Sequence, residues 1–582
     1  VSQRPEDVAR GNGGAAARQN TRPFPWEKTY PEGLSWDIET PDYSLPEHLQ
    51  RCVAAHGHKT FLDYRGHEIS YAEFGRRVHQ CAAGLIALGL QPGEKVALYL
   101  PNTPYHPISF FGVLKAGGVV VHLSPLDAPR ELVHKLTDSG ARIMVTTNFA
   151  AMLAGAQRLM DANLIDRIIV GDDTAFGAAP GIPITQITED DKRIINFEKL
   201  MHAALPDTWP VLKPTQLAVL QYTGGTTGLP KGAIHTHCTL NASVAIYEQF
   251  FSSQNPEELQ ETHRVIAVLP FFHIYALVVL LLWQMKRGSM MFLHLRFDVD
   301  AVLHDIEVKR ATYFPGVPTM WIALSAIPGI ESRDFSSLRQ VGSGGAPLPV
   351  EVAQRFERLV GGKRIGGGWG MTETASAGTG HLAHGLFKED SVGLPLPGIE
   401  ARITALDDPR HILPIGEPGE LCVKGPNIFK GFWNKPEETE KAFVDGFYLT
   451  GDIGRMDEDG MVYLVDRKKD MIISGGFNVY PRYIEDAIYE HPDVEECSVI
   501  GIHDEYRGQA AKAFIKVKDG AQEFSLESLR DFLADKIGRH ELPAALEFRD
   551  ALPKTPVGKL SKKELLADEA QKLKMQSEQK NG

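Results

Sequence analysis

The sequence has no surplus of positive charge, few cysteines and no long apolar segment, and each lack removes a class of function. A net charge of -13 over 582 residues offers no basic face of the kind that binds nucleic acid. Anionic small molecules stay open, because local dipoles and a few Lys or Arg side chains hold phosphate within an acidic protein. Five cysteines, Cys52, Cys81, Cys238, Cys422 and Cys497, are scattered without a Cys-x-x-Cys pair, so neither a disulfide framework nor a zinc site is indicated. The apolar run Ala276–Trp283 falls well short of the ~20 residues of a membrane span. Val1 to Asn20 is rich in Arg, Gly and Asn without an apolar h-region, so no signal peptide is expected and a cytoplasmic location is. Peripheral membrane contact and oligomeric state are left open.

What is present is an ordinary globular composition in a chain too long for one hydrophobic core. Residues 1–45 hold few apolar anchors beyond Phe24, Trp26 and Trp36 and carry Pro23, Pro25, Pro31 and Pro41, which predicts a mostly irregular arm with its first residues disordered. From Ser44 onward, apolar runs such as Lys95–Leu100, Val119–Leu123, Arg142–Thr147 and Arg167–Gly171 alternate with helical stretches. That alternation predicts parallel sheets covered on both faces. Short strands between Gly-rich turns at 399–423 predict a small barrel or sandwich. After the polar run Asp466–Asp470, residues 469–582 read as a compact α+β unit of separate-domain size. The expected architecture is therefore α/β: an arm (1–45), a large domain (46–468) of two parallel-sheet α/β subdomains plus a small β-barrel-like subdomain, and a small α+β C-terminal domain (469–582).

The stretch most informative about chemistry is Tyr222-Thr-Gly-Gly-Thr-Thr-Gly-Leu-Pro-Lys-Gly232, close behind the apolar run Leu217–Leu220. Glycines, threonine hydroxyls and one lysine after a strand place backbone N–H groups, Oγ atoms and a cation around phosphate oxygens. It is not the Gly-x-x-x-x-Gly-Lys-Ser/Thr loop of NTPases, since Lys231 is followed by Gly232. Most Gly/Thr clusters are flexible surface loops, but this ordered string resembles the signature of the acyl-adenylating superfamily, which includes acyl-CoA synthetases, peptide-synthetase adenylation domains and luciferases.

The resemblance implies a nucleotide-phosphate loop of Thr223, Gly224, Gly225, Thr226, Thr227 and Lys231, with Thr227 also near the metal. Leu269-Pro-Phe-Phe-His273 is similar to the family's Leu-Pro-x-x-His motif, which implies that His273 lies near the acyl carboxylate; without the motif His273 reads as an interior histidine. Gly344, Gly345, Ala346 and Pro347 would border the adenine. Ile365-Gly-Gly-Gly-Trp-Gly-Met-Thr-Glu-Thr374 resembles the Tyr-Gly-x-Thr-Glu motif with Trp369 in place of Tyr. The exchange keeps a planar ring for stacking and loses the phenol; Gly370 and Met371 follow it, with Thr372 placed for phosphate and Glu373 for Mg²⁺. In Gly446-Phe-Tyr-Leu-Thr-Gly-Asp452 the acid would accept from both ribose hydroxyls, although a turn Asp is the ordinary alternative.

Met461 to Tyr480 closely resembles bacterial long-chain fatty acyl-CoA synthetases, and the arm's Pro-Trp-x-x-x-Tyr-Pro pattern does so too. The likeness implies a hinge at Lys469, Arg467 on ribose or phosphate, and Ser474, Gly475 and Gly476 beside a pantetheine arm. Pro553-Lys-Thr-Pro-Val-Gly-Lys559 resembles the C-terminal signature whose second lysine, Lys559, is catalytic; composition alone would make it a solvated cation. Together these imply an ATP-, Mg²⁺- and coenzyme A-dependent ligase for a medium- or long-chain fatty or a dicarboxylic acid. An aromatic acid–CoA ligase, an acyl-AMP ligase loading a carrier protein, and a nucleotide-binding module without catalysis are the alternatives.

Overall fold

The computed structural model describes residues 21–177, 179–188, 190–223, 229–252, 263–345, 350–474, 477–504, 507–555 and 560–580. The disorder expected for the first residues concerns a segment outside these. Residues 21–44 are irregular, as their prolines dictate, but they are anchored. Trp26 is fully buried with Phe24 stacked on it at 4.7 Å, and the Trp36 indole donates to the Ile399 carbonyl at 3.2 Å.

Two seven-stranded sheets carry the large domain. The first runs in the order Ile194–Asn196, Arg167–Gly171, Ile143–Thr147, Lys95–Tyr99, Val119–Leu123, Leu217–Tyr222, Gly232–Thr236. All its pairings are parallel except the last, which is antiparallel. The second runs Gly366–Gly367, Gln340–Ser343, Tyr313–Gly316, Arg264–Ala267, Met290–Leu293, Thr60–Tyr64, His67–Ser70, again parallel up to an antiparallel edge hairpin. The central strands of the first sheet are largely aliphatic and buried, the pattern of a parallel sheet covered on both faces. Each sheet ends in an antiparallel strand, and in the second Arg65 and Gly66 alone close the hairpin, so no crossover helix is needed.

The two sheets share one core. Leu98 and Val120 of the first, Val265 and Met291 of the second, and the helix Tyr105–Lys115 between them form a single buried apolar cluster. The run Ala276–Trp283 belongs to it as a π-helix with all eight residues buried, packed against the helix His237–Ser252. Its apolarity all round is that of an interior helix.

The β-rich region expected as a small barrel or sandwich is a five-stranded antiparallel sheet. Glu400–Thr404, Gly419–Lys424 and Phe447–Met456 pair in order, and both Phe443–Val444 and Val462–Arg467 pair with the long strand. A last sheet, Phe477–Val479, Ile472–Ser474, Gly508–Val517, Val494–Asp504, with Ala545–Phe548 on the long strand, has its own core around Ile484, Val499 and Leu529. Lys469 lies between Val462–Arg467 of one sheet and Ile472–Ser474 of the other.

Candidate active site

The carboxyl ends of the strands Leu217–Tyr222, Arg264–Ala267, Gln340–Ser343 and Gly366–Gly367 open onto one cleft of about 1580 Å³, the usual place for a ligand in an open parallel sheet. Of the residues singled out from sequence, Thr223, Lys231, His273, Gly344, Gly345, Trp369, Gly370, Met371, Thr372, Glu373, Arg467 and Lys469 line it. Gly224, Gly225, Thr226, Thr227, Ala346, Pro347, Gly475, Gly476 and Lys559 lie outside the described residues. Thr555 and Ser561, on either side of the segment that holds Lys559, both line the cleft. Ser474 is buried in the C-terminal sheet, paired with Gly508, away from the cleft lining.

The Thr372-Glu373 turn is the most heavily braced part of the wall. Ala375 and Ser376, immediately after it, hold φ of 45° and 69°, a left-handed conformation that costs about 1–3 kcal/mol for residues other than glycine. Surrounding hydrogen bonds impose it. Ser243 Oγ donates to the Ala375 carbonyl at 2.7 Å and Tyr247 Oη to that of Ser376 at 2.9 Å. Asn427 Nδ2 reaches the carbonyls of Thr374 and Ala377 at 2.6 and 2.8 Å. His235 Nε2 lies 2.8 Å from the Thr372 carbonyl, and the Phe429 N–H donates to that of Glu373 at 2.8 Å. A Cβ on Gly370 would sit 1.8 Å from the Ser376 carbonyl oxygen, so only glycine lets the chain pass there.

This bracing fixes a buried carboxylate at the cleft. Burial raises the Glu373 pKa above the ordinary carboxylate value, opposed by the nearby Arg467 charge and by a hydrogen bond from the Tyr448 hydroxyl. Tyr448, Thr450 and Asp452 stand on one strand, and the bulge at Gly451, φ 70°, breaks the alternation between them; Tyr448 is a residue the motif reading passed over. Asp452 is itself held on both oxygens: Trp369 Nε1 donates to Oδ2 at 2.7 Å and Arg467 Nε to Oδ1 at 2.9 Å. Lys231 forms an ion pair with Glu438 and lies over the Phe432 ring. His273 caps its own turn, its Nδ1 accepting from the Tyr275 N–H at 3.3 Å.

Beyond His273 the cleft turns apolar. Tyr247 and Phe251 from one helix and Tyr275, Val279 and Trp283 from the π-helix segment face Tyr313 and Gly342 of the second sheet. The Trp283 indole is pinned by Glu248 Oε2 at 2.8 Å. The lining then follows the strand Gln340–Ser343 down to Gln340 and Arg339.

Comparison with known proteins bears on this arrangement. The AMP-binding enzyme family matches residues 49–433, and the AMP-binding enzyme C-terminal domain matches residues 483–559. A long-chain-fatty-acid–CoA ligase of Bacillus subtilis is 36% identical over 559 residues, covering 94% of this chain and 98% of its own. A feruloyl-CoA synthase of Amycolatopsis sp. is 36% identical over 513 residues, covering 87% and 95%. Among solved structures, ATP-bound MatB from Rhodopseudomonas palustris superposes with a TM-score of 0.78 at 28% identity, covering 89% of this chain and 98% of that one. The wall at Thr223 and Lys231, a braced Thr-Glu turn at the cleft and the doubly held Asp452 behind Trp369 and Arg467 are thus found in a chain that belongs to the AMP-binding enzyme family.

Proposed function

We propose that this protein is an ATP-dependent, AMP-forming acyl-CoA ligase for aliphatic acids of medium to long chain. The observation that carries the acid class is the length of the apolar arm of the cleft. From Ser343 to Gln340 it follows the four residues of one strand, which at ~3.3 Å per residue is about 13 Å. An aromatic acid would fill only the part beside Tyr275; an extended alkyl chain matches the whole. CoA as acceptor is supported by relatives that are CoA ligases over nearly their full length.

In the first half-reaction an oxygen of the acid's carboxylate attacks the α-phosphorus of ATP. The new acyl–phosphate bond forms as the bond to the bridging oxygen breaks, and its electrons leave with pyrophosphate. Catalysis of such a step is mostly positioning and charge stabilisation. In this reading His273 meets the acid's carboxylate, Asp452 the ribose, and Thr223, Thr226, Thr227 and Lys231 the leaving phosphates. Lys231 exchanges Glu438 for the triphosphate on binding, and Lys559 neutralises the developing charge.

The donor set fits Mg²⁺: Glu373 offers hard carboxylate oxygens next to room for phosphate. Among the described residues no group of three or more metal-ligating side chains occurs, as suits an ion that draws most of its ligands from phosphates and water. Glu373 and Thr227 would hold the ion, whose chemistry there would be charge neutralisation of the phosphates.

In the second half-reaction the CoA sulfur attacks the acyl carbon, the thiol proton passes to solvent, and AMP leaves with the electrons of the acyl–oxygen bond. For this the C-terminal domain turns at Lys469, withdrawing Lys559 and bringing Ser474, Gly475 and Gly476 toward the pantetheine arm, a hinge closure of known type.

The test is ATP- and CoA-dependent AMP release across saturated acids from butyrate to palmitate, medium-chain dicarboxylates, benzoate and ferulate. An optimum among the longer aliphatic acids is expected. An optimum at ferulate would overturn the acid class, and pyrophosphate exchange without thioester product would overturn CoA as acceptor.

A further inference from the structure

We propose that Trp369 is a positioning residue for ribose recognition, its indole N–H orienting the Asp452 carboxylate toward the two hydroxyls of the nucleotide sugar. The inference rests on the nucleotide reading of the cleft given above. It adds to that reading a role that a stacking ring alone would not have.

The carboxylate has about four lone-pair sites. Trp369 Nε1 occupies one on Oδ2 and Arg467 Nε one on Oδ1, which leaves one on each oxygen for a vicinal diol. The backbone of Asp452 is fixed as well. Its N–H donates to Thr450 Oγ1 at 3.0 Å, and that hydroxyl donates to the Leu421 carbonyl at 2.7 Å. With the side chain only 5% exposed, water is a poor substitute for the indole donor. Loss of the donor leaves a buried charge short of a partner, which costs more than the bond itself contributes.

The indole is as constrained as the carboxylate. The Trp369 N–H donates to Thr379 Oγ1 at 3.1 Å, and the Thr379 N–H donates to the Trp369 carbonyl at 2.9 Å. The six-membered half of the ring lies where a Cβ on Gly378 would come within 2.4 Å. The bulk added by tryptophan is thus accommodated by the missing side chain at Gly378, and the N–H is left aimed at Asp452. A tyrosine carries its only donor at the far end of the ring, so it cannot make this bond from the same ring position.

The experiment compares wild type, Trp369→Phe and Trp369→Tyr in the pyrophosphate-forming half-reaction with ATP, 2′-deoxy-ATP and 2′,3′-dideoxy-ATP. The expected result is that both variants raise KM for ATP about tenfold while KM for the dideoxy nucleotide stays within about twofold, the size of one charge-assisted hydrogen bond acting through the sugar. An equal rise for all three nucleotides, or no rise, overturns the proposal and leaves Trp369 a stacking ring. If either variant fails to fold, site-specific 3-benzothienylalanine at 369 keeps the ring shape and removes only the N–H. The same selective loss is expected of it, and unchanged ATP kinetics would overturn the proposal. A wild type that uses no nucleotide at all would instead bring down the ligase reading, and this inference with it.

Discussion

Gln221 and Phe272, 51 residues apart, are joined across the two large sheets: the Gln221 side-chain Nε2 donates to the Phe272 carbonyl at 2.6 Å. Its Oε1 then faces His122 Nδ1 at 2.9 Å, so Nδ1 carries the hydrogen. Burial lowers the His122 pKa to about 4, and the ring stays neutral through the physiological range. Gln221 stands two residues before Thr223 and Phe272 immediately before His273, so one buried amide ties together the two segments to which the proposed function assigns ATP phosphates and acid.

Replacing Gln221 by Leu removes that tie and leaves the Phe272 carbonyl without its donor. KM for the acid is expected to rise about tenfold, in line with an unsatisfied buried acceptor, with KM for ATP changing far less. Initial rates of pyrophosphate release at varied acid and varied ATP would show it; an equal effect on both substrates would refute the coupling.

For Glu373→Gln, activity and stability are expected to move in opposite directions. Adenylation should fall by about 10²-fold or more, the usual scale for losing a preorganised electrostatic group. Because burial raises the Glu373 pKa, the fold disfavours the ionised form. That penalty is absent below the unfolded carboxylate range near pH 4 and grows as pH rises through the higher folded value. The variant should therefore melt at a higher temperature than wild type at neutral pH, and the gap should close in acid. Melting curves of both proteins across that range decide the matter.

Gly342 offers a way to shorten the acyl arm. A Cβ there meets only ordinary contacts, the nearest being the Gly366 carbonyl at 3.7 Å and the hydroxyls of Tyr313 and Tyr275 at 3.8 and 4.0 Å. Gly342→Val should fold normally and project into the channel, shifting the kcat/KM optimum toward shorter acids while butyrate turnover is kept. An unshifted chain-length profile would place the alkyl chain elsewhere. At Gly344 the same change would drive a Cβ to 2.8 Å from the Tyr275 ring, so the neighbouring glycine is the less tolerant of the two.

Lys562 opens the helix that follows the Lys559 segment, and its Nζ lies 3.0 Å from Glu485 Oε1. Burial works to lower the Lys562 pKa, but the charges of Glu485 and of Asp466, three residues before Lys469, outweigh it and raise the value. Lys562→Met leaves Glu485 without its partner, which is costly for a buried pair. The pyrophosphate-forming step should lose about tenfold while thioester formation from supplied acyl-AMP is largely spared. Equal loss in both half-reactions would speak against an influence exerted through the Lys559 segment.

Much of this site was legible because its parts are contiguous strings. Phosphate-loop strand, Pro-Phe-Phe-His, Trp-Gly-Met-Thr-Glu and Thr-Gly-Asp each carry their residues within a few positions, and the strand-to-loop geometry follows from local sequence. The contacts between strings were not legible. Trp369 to Asp452 spans 83 residues and His235 to Thr372 spans 137, and no periodicity reports such pairings. Antiparallel edge strands escaped for a related reason: Gly232–Thr236 and His67–Ser70 are short, and neither carries the apolar run that marks a buried parallel strand. The apolar run Ala276–Trp283 was recognisable only as too short to span a membrane, and its wide turn is set by the packing around it.

That wide turn places Val279 and Trp283 in the apolar wall of the cleft, where the proposed function puts the acyl chain. A π-turn holds one residue more than the α-turn it replaces, so removing a single codon in this segment would restore the tighter winding and rotate the downstream side chains by about 100°. The face presented to the substrate would then be a different one, with the buried anchors of the helix shared out anew. Such a segment makes the choice of acid reachable in one genetic step, without any change to the residues that handle ATP.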